Sequence, residues 1–95
     1  MRPPALPVGD GLPFLALGQW TPCQDAARLF EAAALATPHP ADIRAAQMTC
    51  FACPVLHACR EFAVEAREPW GVWGGMTPRQ RVVVARVRAE RARAS

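Results

Sequence analysis

Four cysteines constrain this chain more than any other feature. They are Cys23, Cys50, Cys53 and Cys59, and there are no others. The last three form a C-x2-C-x5-C cluster inside ten residues, with the fourth well upstream. A chain of 95 residues that spends every cysteine this way is building a site. Three chemistries compete for it: an iron–sulfur cluster, a zinc ion or disulfides.

Size sharpens that choice. A single domain of this length buries only about 60–65% of its unfolded surface, so its core is marginal. Small domains often compensate with disulfides or a metal centre. The hydrophobic fraction of 52% overstates the core, because much of it is alanine. No apolar run approaches the roughly 20 residues of a membrane span. Pro3, Pro4, Pro7, Gly9 and Asp10 interrupt any signal-peptide core. The expectation is a cytoplasmic protein, where clustered cysteines favour metal binding or redox work over structural disulfides.

Taken in order, residues 1–19 are rich in Pro and Gly and read as extended or disordered, with Phe14, Leu15 and Leu17 free to dock on the body. Thr21-Pro22 is a helix start, with Thr as N-cap and Pro at the first position. Apolar spacing through Leu29, Phe30, Ala33 and Ala34 carries this helix over 22–35, and Asp25 complements its N-terminus. Thr37-Pro38-His39-Pro40 breaks the chain. A second helix starts near Pro40 or Ala41 and ends around Ala52, with Ile43, Ala46 and Cys50 on one face. Pro54 suits the start of a third helix running to about Ala66, whose buried stripe is Leu56, Cys59, Phe62 and Ala63. N–H groups at its N-terminus are expected to face the cysteines and favour thiolates.

The stretch Glu68-Pro69-Trp70-Gly71-Val72-Trp73-Gly74-Gly75 is a tight turn. Trp70 reads as core filler and Trp73 lies beside glycines that cannot cover it; either both rings pack on the body or one waits for a partner. Thr77-Pro78-Arg79-Gln80 then opens a last helix with a full capping box. Its apolar stripe is narrow, Val83 and Val87. Its arginines form two ridges: Arg79, Arg86 and Arg93 on one flank, Arg81, Arg88 and Arg91 on the other. Residues 79–95 carry net charge +5 of the chain's +3, leaving a mildly acidic body. That asymmetry points to DNA or another polyanion as the partner of the last helix. All eleven basic side chains are Arg.

The organisation expected is all-α: about four short helices around a cysteine site, with a Gly-rich turn before a basic C-terminal helix. The segments divide as 1–19, 20–76 and 77–95. Zinc ribbons usually carry two C-x2-4-C knuckles, and only one such pair exists here, though zinc stays open. A catalytic dithiol at Cys50 and Cys53 would need a strand before its helix, and no strand pattern is present. Four thiolates on short helices suit a [4Fe–4S] cluster. With four cysteines available, His39 and His57 are not expected to ligate; His57 reads as a surface or capping group. Paired catalytic carboxylates, Ser-His-Asp sets and phosphate-cradling loops are absent, so the chain does not read as an enzyme and needs no small-molecule substrate.

Trp20-x2-Cys23-x-Asp25, the cluster Cys50-x2-Cys53-Pro54-Val55-x3-Cys59, and Gly71-Val72-Trp73-Gly74-Gly75 before a basic helix together resemble the WhiB-like iron–sulfur transcription regulators of actinobacteria and their phages. The resemblance covers about residues 20–90. It implies a [4Fe–4S] cofactor held by Cys23, Cys50, Cys53 and Cys59. It implies binding of the C-terminal domain of the primary sigma factor, within RNA polymerase holoenzyme, through the turn Gly71, Val72, Trp73, Gly74 and Gly75, with Trp20 and Phe30 as flanking aromatics. It implies promoter binding and a response to redox state or nitric oxide. Phe30 lacks the adjacent second aromatic of the family, and the tail lacks an Arg-Gly-Arg-Pro hook. The competing function is a zinc- or thiol-based adaptor that binds protein but not DNA; a dithiol reductase is a third.

Overall fold

A computed structural model describes residues 19–94. The expectations placed on residues 1–18 lie outside the described residues. Among the described residues five helices follow one another: α1 Pro22–Asp25, α2 Ala27–Ala33, α3 Pro40–Phe51, α4 Leu56–Ala66 and α5 Pro78–Ala94. Among the described residues there is no strand, only one isolated antiparallel bridge between Trp73 and Met76.

The expected first helix is two helices. Ala26 leaves helical geometry at φ −114° and ψ 33°, and α1 is a single turn closed by the Ala26 N–H on the Cys23 carbonyl. Ala26 and Ala27 carry no breaking signal, so the kink comes from tertiary packing rather than from local propensity. Thr21 is extended and precedes Pro22 as expected, yet makes no side-chain cap bond. Asp25 lies in the first turn of α1, as expected, and also accepts the Trp20 indole N–H at 2.9 Å.

Helix α3 starts at Pro40. His39, not His57, supplies a cap: its Nδ1 accepts the Ala41 N–H at 3.0 Å. Pro54 lies in a turn, and α4 begins two residues later than expected. Arg67 ends α4 in the left-handed region at φ 54°. There the Glu68 N–H reaches back to the Ala63 carbonyl at 3.1 Å, which satisfies the helix end. The capping box of α5 forms in full: Gln80 N–H on Thr77 Oγ1 at 3.2 Å, and Thr77 N–H on Gln80 Oε1 at 2.9 Å.

The core has two parts, and cysteines belong to both. Phe30, Ala33, Ala46, Cys50 and Val72 form one, with Cys23, Ala26, Leu29, Ile43 and Leu56 against it. Cys59, Ala63 and Trp73 form the other, with Phe62 packed on it. Alanines at the contacts let α1 and α2 come close to α3, and Val64 joins the buried side of α4. The stripe expected on α5 is wrong. Val83 and Val87 are exposed, at 51% and 37%. The covered side of α5 is Arg81, Val84 and Ala85, the first buried and the others half-buried. An arginine thus occupies a core position, which hydropathy spacing cannot indicate.

Candidate metal centre

Four short pieces of backbone carry the four thiols. Cys23 sits in the single turn of α1, Cys50 in the last turn of α3, Cys53 just beyond it, and Cys59 in α4. Cys50 and Cys59 are buried, Cys23 and Cys53 partly so, and all four are free of disulfides. They stand close enough to act on one another electrically. Ionisation of Cys23, Cys50 and Cys53 each makes ionisation of Cys59 harder, and Cys53 acts likewise on Cys23.

Burial dominates the electrostatics. It pushes the Cys50 thiol up to about 11 and the Cys59 thiol up to about 12, and raises Cys23 as well. Opposing this, hydrogen bonds favour the anions. Cys23 is 3.1 Å from the buried Thr21 hydroxyl, and its own N–H and that of Gln24 also act on it. For Cys50 the backbone donor is Gly75, and for Cys59 it is Gly74. These two come from the glycine turn, not from the start of the helix bearing Cys59 as expected. The nearby Arg60 guanidinium also eases ionisation of Cys50.

The turn itself explains how its N–H groups reach two sulfurs. Trp73 and Met76 exchange both backbone bonds, N–H to O at 3.1 and 2.9 Å. Gly74 and Gly75 between them have φ of 57° and 74°, the two-residue reversal with both central residues left-handed, which glycine makes without strain. Space adds a second demand. A Cβ on Gly74 would meet the Arg60 side chain and come within 2.8 Å of its backbone nitrogen; one on Gly75 would come within 2.9 Å of Phe51. The carbonyls of the turn are also occupied. The Gly74 oxygen accepts from Arg60 Nε, and the Gly75 oxygen from Gln47 Nε2 at 3.1 Å.

This turn is interior. Gly71, Val72, Trp73, Gly74 and Gly75 are all buried. Trp73, expected to lie uncovered, is 1% exposed. Its ring packs on Phe62 at 5.8 Å between centroids, and its indole N–H donates to the Trp70 carbonyl at 3.1 Å. The roles of the two turn tryptophans are reversed: Trp70, expected as filler, is 47% exposed. Phe30 is fully buried in the first core, whereas Trp20 is at the surface.

The arginines of α5 divide in the same way. Arg79, Arg86, Arg91 and Arg93 are exposed. Arg88 pairs with Glu61 of α4 at 2.7 Å, with both side chains about half exposed. Arg81 is buried and binds loop carbonyls; in this structure it offers nothing to a nucleic acid. Sequence reasoning missed Arg60, Gln47 and the inward use of Arg81. The signal for them was indirect: a buried glycine turn leaves carbonyls that some side chain must satisfy.

The donor set can be tested against the candidate groups. Among the described residues, no three His, Cys, Asp or Glu side chains are grouped to hold a single metal ion. A zinc site draws its four ligands onto one atom, whereas a [4Fe–4S] cube takes each thiolate at a separate iron. Four free thiols on separate pieces of backbone, near enough to act on one another, are donors of the kind that such a cube takes.

Comparison with known proteins places the chain among transcription factors. The family described as "Transcription factor WhiB" matches residues 20–84. Transcriptional regulator WhiB7 of Mycolicibacterium smegmatis is 42% identical over 50 residues, which are 53% of this chain and 48% of that protein. The redox- and pH-responsive transcriptional regulator WhiB3 of Mycobacterium tuberculosis is 53% identical over 38 residues, 40% of this chain and 36% of its own length. Transcriptional regulator WhiD of Streptomyces coelicolor is 47% identical over 36 residues, 38% of this chain and 32% of that protein. The chain thus spans half or less of the length of these relatives.

Proposed function

The chain belongs to the WhiB family of transcription factors, and from that premise we propose that it regulates transcription through a [4Fe–4S] cluster held by Cys23, Cys50, Cys53 and Cys59. The observation that carries this reading is the set of four mutually interacting thiols, buried or half-buried, with glycine N–H groups directed to two of them. When bound, the cluster supplies a centre that exchanges electrons and is attacked by oxidants or nitric oxide. The chain's own part is to hold four thiolates, exclude water from Cys50 and Cys59, and offset their charge with N–H dipoles and Arg60. A zinc-bound adaptor is the competing reading, and metal analysis of the purified protein separates the two.

Two partners follow from the same reading: the C-terminal domain of the primary sigma factor and promoter DNA. Exposed Trp20 and Trp70 suit a protein contact, since a Trp emptied of water at an interface commonly contributes about 2–4 kcal/mol. Buried Trp73 and Phe30 would act behind that surface by fixing its shape. Exposed Arg79, Arg86, Arg91 and Arg93 suit DNA phosphates. The division into a segment 1–19, a cluster domain 20–76 and a basic element 77–95 is retained as a proposal, with α5 fastened to α4 at Arg88. Among the described residues no helix is long and apolar enough to cross a membrane; action in the cytoplasm belongs to the same proposal. The test is co-purification with sigma factor under anaerobic conditions. Wild type should be brown and retain sigma; Cys23→Ala should lose colour and sigma together. A colourless wild type that still retains sigma would overturn the cluster-based reading.

A further inference from the structure

We propose that Arg81 is a positioning residue for the thiol site: its guanidinium locks the loop 68–76 so that the Gly74–Gly75 reversal stays in place beside Cys59 and Cys50. The clamp's value to the protein rests on the reading of these cysteines as cluster ligands.

The geometry is complete in its hydrogen-bond accounting. A guanidinium carries five N–H donors, and here every one has a backbone oxygen. Arg81 Nε donates to the Glu68 carbonyl at 3.2 Å. Nη1 donates to Gly71 at 2.9 Å and Met76 at 2.7 Å. Nη2 donates to Glu68 at 2.9 Å and Trp70 at 3.1 Å. Three of these acceptors precede the glycine reversal and Met76 follows it, so one side chain ties both limbs of the loop to α5. Met76 is the pivot, because its oxygen also accepts the Trp73 N–H that closes the reversal.

Arg81 is 3% exposed, and its five N–H groups bond backbone oxygens rather than a carboxylate. A buried charge is costly unless hydrogen bonds compensate it. The four carbonyl dipoles supply the compensation, and the nearby Glu68 and Cys59 charges further favour the cation. A loop that needed only mechanical closure could use apolar contacts. This loop instead consumes its carbonyls on side chains of three helices: Arg81 from α5, Arg60 from α4 and Gln47 from α3. What remains to the reversal is a pair of N–H groups, held beside the segment of Cys59 by the packing of Gly74 on Arg60 and near enough to Cys50 and Cys59 to favour their anions. N–H bonds to thiolate sulfur tune both the stability and the potential of iron–sulfur centres. Lysine cannot replace the fork, because its donors leave from one point.

The experiment uses the full chain carrying Arg81→Lys, which retains the charge, with Arg86→Lys as an exposed control. In the cluster-free protein, amide hydrogen exchange is followed at Gly74, Gly75, Phe30 and Ala46. The expected result for Arg81→Lys is exchange at least about tenfold faster at Gly74 and Gly75, the loss of charge-assisted bonds to buried acceptors, with Phe30 and Ala46 unchanged. Arg86→Lys should change none of the four. In the cluster-loaded protein, anaerobic release of iron to a chelator should accelerate by a similar factor for Arg81→Lys alone. Unchanged exchange at the two glycines would overturn the proposal, as would uniform acceleration or unfolding, which mark a merely structural arginine. The amide readout needs no cluster. A response there in a chain that never loads iron would leave the clamp standing and refute the cluster reading instead.

Discussion

The glycine turn and the basic helix that follows it are adjacent in sequence and opposite in character. The turn 71–75 is apolar, carries no charge and is wholly buried. Helix α5 carries six arginines, and nearly all its side chains beyond Arg81 are exposed or half-exposed. A motif with a tryptophan among glycines suggests a projecting surface, and a run of arginines suggests a uniform outer face. The structure inverts part of each expectation. The turn is an internal part whose carbonyls are taken up by neighbours, and one arginine of the helix clamps the loop on both sides of it. On the proposed reading, partner contact by such a turn would be indirect: it would shape the thiol site and present Trp70, while the outer arginines of α5 would act separately.

Substitutions can break this contrast at either side. The largest effect is expected inside the turn. Trp73→Ala removes a fully buried indole and should cost about 3–5 kcal/mol, whereas Trp70→Ala should lie within about 1 kcal/mol of wild type. Thermal melts of the pair give the comparison directly; equal costs would mean the turn is not interior. Next comes Gly74→Ala. It combines a left-handed backbone, a strain of about 1–2 kcal/mol for any other residue, with a collision against Arg60 backbone. We expect a loss of about 2–3 kcal/mol, and a wild-type melting temperature would show that the reversal can relax.

A graded effect comes from pH. The Cys50 and Cys59 thiols titrate near 11 and 12 in the fold, against 9.0 for an ordinary thiol. Above about pH 9 the unfolded chain releases these protons first, so the native state holds more of them. Stability of the cluster-free protein is then full below about 9 and falls as pH rises towards 12. Melting temperature against pH measures this, and a flat profile from 8 to 11 would mean the thiols are not desolvated.

The smallest stability effects belong to the helix. Arg86→Ala and Arg93→Ala should each shift stability by less than about 0.5 kcal/mol. Each should nonetheless reduce the dependence of log affinity for DNA on log salt by about 0.9. Loss of Arg88–Glu61 should cost at most about 1 kcal/mol, as for other exposed pairs. Unchanged salt slopes for both Arg86→Ala and Arg93→Ala would remove DNA from the account of α5.

Much of this was legible beforehand. Proline at the first position fixed the starts of α1, α3 and α5, and the Thr77–Gln80 capping box formed as its residue types require. Clustered cysteines in a chain with so small a core had to lie inside, and two are core members. Four features resisted. The kink at Ala26 follows from packing between Ala26, Leu29 and the core rather than from any breaker. Trp70 and Trp73 are chemically identical, and only the path of the turn decides which ring meets Phe62. Val83 and Val87 are exposed because Arg81 and Ala85 take the covered side. Arg81 itself looked like one more surface cation, since nothing local marks a guanidinium that will meet four carbonyls from a loop five to thirteen residues away.

The central claim is that the four thiols hold an iron–sulfur cube, with the glycine turn closing over two of them. Iron, zinc and acid-labile sulfide in anaerobically purified wild-type protein test it most directly. The account predicts about four irons and four sulfides per chain and a broad visible absorption. One zinc per chain without sulfide would contradict it.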